Sequence, residues 1–282
     1  MDPGLHSGFI AGLMMLAFLC EYMDSALGMG YGTTLTPILL MIGYEPLQVV
    51  PVILISELIS GLLAGILHHR EGNADFRPKV IDVAAVASEF GAAGYIRSLK
   101  KNFPLHLKVA LLLAACSIMG TIVSIFLAVN LPGSWVKLYI GIIVLAMGLM
   151  IIICFNRKFV FSWKKIAGLG LVASFNKGIS GGGYGPVVTS GQVLAGVNSK
   201  NAVAITSLAE GLTCAVGITS YFFISRSPLD LSLAPVIVTG AVASIPFSVK
   251  SVKKITEKRL KAAIAALTLV LGISTIFKTI TG

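Results

Sequence analysis

The chain has 282 residues, 56% of them hydrophobic and only 12% charged, with a formal net charge of +10. An ordinary soluble domain carries about 25% charged residues, so a chain with a mean hydropathy of +0.90 falls outside the soluble globular class. The composition is that of an all-α polytopic membrane protein folded as one compact bundle, with apolar segments long enough to cross a bilayer along nearly its whole length.

The first predicted span is 8–27. No basic n-region or small-residue cleavage site precedes it, so Leu5–Leu27 is expected as a retained helix rather than a signal peptide. It carries Glu21 and Asp24, three residues apart on one helix face. Gly28-Met29-Gly30-Tyr31-Gly32 then breaks the apolar pattern. The segment 33–43 that follows is about half a bilayer long at roughly 1.5 Å per residue. Span 47–67 holds Glu57 within an apolar helix and ends at His68-His69-Arg70-Glu71. Adjacent histidines on a helix do not converge on one ion, so this reads as a polar helix end and not as a metal site. An insertion of about 74–106 follows. Its stretch 79–101, with Asp82, Glu89, Arg97, Lys100 and Lys101, is too charged to span and fits an interfacial or cytoplasmic helix. Spans 107–128 and 135–154 complete the first half, 1–154.

The second half, 155–282, opens with span 163–178, which ends at Asn176 and Lys177. Ser180 and a second break, Gly181-Gly182-Gly183-Tyr184-Gly185, come next, followed by a short segment, 186–196. Span 199–224 carries Glu210, and spans 231–250 and 258–278 follow. Cys20, Cys116, Cys154 and Cys214 stand singly in apolar segments, as buried free thiols would.

The two halves repeat at an offset of 153 residues. Gly28–Gly32 matches Gly181–Gly185, and the same offset pairs Thr36 with Thr189, Val50 with Val203 and Glu57 with Glu210. Glycine abundance alone does not keep a tyrosine and a glutamate in register, and helices broken at equivalent places in two halves point to a transporter substrate site. Of the 22 Lys and Arg, seven lie in 68–108, four in 155–165 and six in 250–261, whereas the turn at 225–230 has only Arg226. That asymmetry places the basic loops in the cytoplasm. The charge follows the bilayer rather than forming one patch, which argues against nucleic acid as a partner. With the basic loops on one side, the first half ends its last hairpin inside and the second ends its own outside. The matched motifs are therefore expected as inverted repeats whose broken or re-entrant helices meet near the membrane midplane.

The segments DSALGMGYGTTLTPILLMIGYEPLQVVPVILISELISGLLAGILHHREGNADF and FNKGISGGGYGPVVTSGQVLAGVNSKNAVAITSLAEGLTC resemble the two repeats of the sulfite exporter TauE/SafE family. The resemblance implies a multi-pass carrier of small sulfur-containing anions such as sulfite or organosulfonates, generally an exporter. The chemistry of the breaks is compatible with an anion. Helix N-termini present unpaired N–H groups and a positive dipole end, and glycine allows close approach. Candidate substrate-binding residues are Gly28, Gly30, Tyr31, Gly32, Thr33, Thr34, Asn176, Lys177, Ser180, Gly181, Gly182, Gly183, Tyr184 and Gly185, with hydroxyl help from Thr36, Thr189 and Ser190. Helix capping and packing are equally open to these hydroxyl residues.

Lys177 stands where Asp24 stands in the first copy, so an Asp24–Lys177 ion pair across the pseudo-twofold axis is expected, with snorkelling to an interface as the alternative. Asp24, Glu57 and Glu210 are candidates for gating or proton coupling; a carboxyl group that only bonds neighbouring helices is the other reading. No catalytic constellation, resident metal, organic cofactor or nucleotide-binding loop is evident, so an enzyme or a primary pump is not expected. The expected partners are a small anion, membrane lipid and a coupling proton. An anion channel or a carboxylate carrier is the alternative, separable by flux.

Overall fold

The computed structural model describes residues 3–77, 103–153, 162–194, 197–225, 228–252 and 257–281. The 79–101 helix, Cys154 and Arg226 lie outside them, and so does the side chain of Ser190. Among the described residues there are ten helices: α1 (Pro3–Leu27), α2 (Tyr31–Ile42), α3 (Pro46–Arg70), α4 (Leu105–Asn130), α5 (Gly133–Ile153), α6 (Trp163–Ser180), α7 (Tyr184–Leu194), α8 (Ser199–Ile224), α9 (Ala234–Ser251) and α10 (Glu257–Thr281). Six of them, α1, α3, α4, α5, α8 and α9, contain stretches long and apolar enough to cross a membrane. The chain is a multi-pass membrane protein.

The helix boundaries obey the offset seen in the sequence. α1 and α6 end at the matched residues Leu27 and Ser180, α2 and α7 begin at Tyr31 and Tyr184, and α3 and α8 begin at Pro46 and Ser199. Backbone conformation explains the first two sets. Gly28 and Gly30 have φ of 68° and 132°, and their matched partners Gly181 and Gly183 have φ of 69° and 78°. This region excludes L side chains at low cost, so the chain leaves the helix there and re-enters it three residues later. At the start of α3, Pro46 supplies the fixed φ of a first helical residue, and Gln48 Oε1 accepts from the Glu45 amide at 3.0 Å in a capping box.

Packing repeats the same exchange. α1 packs on α9 as α6 packs on α4; α3 packs on α9 as α8 packs on α4; α2 touches α10 as α7 touches α5. The matched helices α3 and α8 cross each other, with Leu54 against Gly217, Glu57 against Cys214, Gly61 against Gly211 and Gly65 against Leu208. The numbers rise on one helix as they fall on the other, so the pair is antiparallel. α5 and α10 behave alike, with Gly141 at Ile276 and Leu145 at Gly272. Small residues at each crossing let the backbones approach, which is how helices associate without a hydrophobic driving force in lipid.

α3 and α8 are buried over most of their length and form the scaffold; in α1, α4, α5 and α9 less than half of the apolar stretch is buried. Met15, Met119, Phe126, Trp135, Phe223, Phe247 and Phe277 point outward. An apolar exterior of this extent suits acyl chains as solvent.

Candidate functional site

The two glycine breaks lie against each other in the middle of the bundle. A methyl group built on Gly182 would sit 2.6 Å from the carbonyl carbon of Gly32 and 2.7 Å from the amide nitrogen of Thr33. Built on Gly32 it would overlap Gly181, and built on Gly185 it would overlap Gly28. Gly32, Gly182 and Gly185 therefore serve close backbone approach, whereas Gly28, Gly30, Gly181 and Gly183 serve the turn. Thr189 Oγ1 donates to the Gly28 carbonyl at 2.6 Å, tying the second short helix to the first break, and it also contacts Thr206 at 2.8 Å.

Four helices bring one charged residue each to this crossing. Asp24 comes from α1, Glu57 from α3, Lys177 from α6 and Glu210 from α8, and all are buried. Lys177 Nζ donates to Glu210 Oε1 at 2.8 Å and forms a close ion pair with Glu57 Oε2. The expected Asp24–Lys177 pair is not the arrangement found. Asp24 Oδ1 instead accepts from the Tyr31 amide at 3.2 Å, at the N-terminal end of α2. The reason is the helix end itself. An aspartate at a helix N-terminus meets unpaired N–H groups and the positive dipole end, and it stays there. A lysine in the matched place beside α7 finds the same dipole repulsive and turns to the two glutamates.

Oxygens of Asp24, Glu57 and Glu210 lie within 4.8 Å of one another, close enough to share one cation. The Lys177 ammonium takes that place for two of them. One ammonium faces three carboxylates, and Glu57 Oε1 and Glu210 Oε2 are buried without a hydrogen-bond partner. A low-dielectric interior makes such incomplete pairing costly. Glu21, the secondary carboxylate on the Asp24 face, accepts from Ser25 at 2.5 Å and from Ser60 at 3.0 Å.

Around the cluster, Thr33, Thr34 and Thr36 on α2 have buried hydroxyls without partners, whereas the Tyr184 hydroxyl on α7 lies against Ser117 and Thr213. The other expected contributors are already engaged. Tyr31 shares a 2.6 Å hydrogen bond with Ser56, Asn176 Oδ1 accepts from Tyr139 at 2.7 Å, and Ser180 Oγ bonds the Asn176 carbonyl at 2.6 Å. Of the predicted hydroxyl donors, the α2 threonines have no hydrogen-bond partner, while Tyr31 and Ser180 are bound into the frame. Ser56, Ser60 and Tyr139 were not singled out from the sequence, because nothing separates them from ordinary small or aromatic residues of membrane helices. His68 and His69 do not converge: Arg77 Nε donates to His69 Nε2 at 3.0 Å, while His68 is buried against α1.

The sequence profile described as "Sulfite exporter TauE/SafE" matches residues 13–87 and 80–275, which is most of the chain. The chain belongs to the sulfite exporter TauE/SafE family. A Bacillus subtilis (strain 168) protein described as "Probable membrane transporter protein YtnM" is 26% identical over 259 residues, spanning 86% of this chain and 75% of its own length. No solved structure matches the chain. The TauE/SafE profile runs through both glycine breaks and all four charged helices, so the cluster lies within the family's common region. The protein is a membrane transporter.

Proposed function

We propose that this transporter is a secondary carrier exporting small sulfur-containing anions such as sulfite or organosulfonates, its halves working as inverted repeats with the basic loops in the cytoplasm. The observation that carries the reading is Lys177, a wholly buried ammonium beside a glycine break, held by two matched glutamates on crossing helices. The antiparallel crossings of α3 with α8 and of α5 with α10 support the inversion. The adjacent α2 hydroxyls without partners supply neutral donors for an oxyanion.

In this arrangement anion and glutamates compete for Lys177. A proton on Glu57 or Glu210 removes a carboxylate charge and frees the ammonium for the anion; departure of the anion restores the ion pairs. Proton and anion thus occupy the site together. Export of a divalent anion with one proton still moves net negative charge outward, a direction that an inside-negative potential favours. Carriage rather than catalysis is the role assigned to these groups.

Counterflow in proteoliposomes tests this. Vesicles loaded with unlabelled sulfite are expected to accumulate labelled sulfite transiently, with competition by sulfonates and a dependence on an imposed pH gradient. Exchange of simple carboxylates without sulfite would overturn the substrate class, and large anion currents without exchange would make the protein a channel.

A further inference from the structure

The offset that matches the glycine breaks also matches two hydrogen bonds that no motif announces. His68 lies in the last turn of α3, and Tyr221 occupies the equivalent place in α8, 153 residues on. His68 Nε2 lies 2.9 Å from the carbonyl of Ser25, and Tyr221 Oη donates to the carbonyl of Gly178 at 3.1 Å. Ser25 and Gly178 are themselves matched positions, each directly after the charged residue of its half, Asp24 or Lys177. The preceding carbonyls are matched too: Asp24 O accepts from the Gly28 amide at 2.5 Å and Lys177 O from the Gly181 amide at 2.8 Å.

The last four carbonyls of a helix have no intrahelical partner and need one from outside. At both breaks the scaffold helix supplies it. A carbonyl only accepts, so His68 donates through Nε2–H. Asn73 Nδ2 then donates to the bare Nδ1 at 3.0 Å, which fixes the tautomer. Asn73 is held in turn by bonds to the Val249 carbonyl at 3.4 Å and from Asn201 at 2.9 Å. His68 and Tyr221 are buried, so neither bond has water as a competitor. Each lies 11 residues beyond the glutamate on its own helix, about 16 Å along the axis. Because α3 and α8 are antiparallel, the two bonds sit on opposite sides of the charge cluster.

We propose that His68 and Tyr221 are a matched pair of latches, positioning residues that hold the ends of the two broken helices and so place Asp24 and Lys177, one latch controlling each side of the site. The proposal rests on the carrier reading only for its consequence in transport; the opening of the core is measurable without any substrate. Cys214 reports it, since its Sγ lies 3.8 Å from Glu57 Oε2 at the centre of the cluster.

The test uses the full chain with Cys20, Cys116 and Cys154 replaced by serine, in right-side-out and inside-out vesicles treated with a membrane-impermeant methanethiosulfonate reagent. Tyr221→Phe is expected to raise the Cys214 labelling rate about three- to tenfold, the factor corresponding to one lost hydrogen bond. The rise should appear only from the face opposite the basic loops. His68→Leu should do the same from the basic-loop face alone, and His68→Gln, which keeps a donor for Ser25, should return labelling towards the parent rate. In flux assays the latch variants should lose turnover more than apparent affinity. Parent-like labelling in both Tyr221→Phe and His68→Leu, or a rise equal from both faces, would overturn the latch. Side-specific labelling without sulfite flux in the parent would sustain the latch and count against the carrier reading instead.

Discussion

Lys177→Met separates the charge balance that the buried ammonium provides from the anion binding proposed for it. Methionine keeps the length and apolar stem but leaves Glu57 and Glu210, both buried, without the cation that pairs them. Removing one partner of a buried ion pair costs about 3–5 kcal/mol, because the remaining charge stays in a poor solvent. For a chain of this size that corresponds to a fall of roughly 6–20 °C in melting temperature. Adding Glu57→Gln and Glu210→Gln to the same variant removes the orphaned charges and is expected to recover most of that loss. It should not recover anion binding, since the ammonium is still missing. Thermal unfolding in detergent, with and without sulfite, reads both quantities, because a ligand bound only to the folded state raises apparent stability. A Lys177→Met variant melting within a degree or two of the parent would refute the charge-balance reasoning. Parent-like stabilisation by sulfite in the triple variant would remove Lys177 from the anion site.

In a chain that keeps Lys177, Glu57→Gln together with Glu210→Gln should tighten anion binding by about ten- to a hundredfold, the equivalent of one charge-assisted hydrogen bond no longer competed away. The same variant should show flux that no longer responds to a pH gradient in proteoliposomes. Gly182→Ala, whose methyl would meet Gly32 and Thr33 backbone, should cost about 1–3 kcal/mol and abolish counterflow. Gly8→Ala and Gly168→Ala, helical positions with open space around the new methyl, should leave flux unchanged and melting at or slightly above the parent's. Asp24→Ala should destabilise by about 0.5–2 kcal/mol, as loss of an N-terminal acceptor does, while Asp24→Asn keeps an acceptor for the Tyr31 amide and should melt close to the parent.

What the sequence made legible here is what backbone chemistry dictates locally. A left-handed φ at Gly28, Gly30, Gly181 and Gly183 has one cheap occupant, so the breaks could be read directly and the helix ends beside them to within two residues. The register between halves was equally open, since the offset that pairs Glu57 with Glu210 also pairs the starts of α3 and α8. The partner of Lys177 was not open in this way. Position in the repeat pointed to Asp24, but which carboxylate meets the ammonium depends on how α3 and α8 cross, and no local rule states a crossing point. The helix dipole then decides between the candidates, favouring an aspartate and disfavouring a lysine at equivalent helix starts. Matched positions thus play unlike parts: the same place in the offset filled by opposite signs gives one half a self-capped helix and leaves the other half's cation for the glutamates. Tyr221 was hidden for a related reason. An aromatic residue in an apolar helix carries no signal of its own, and only its match to His68, with both bonds in view, marks it as more than packing.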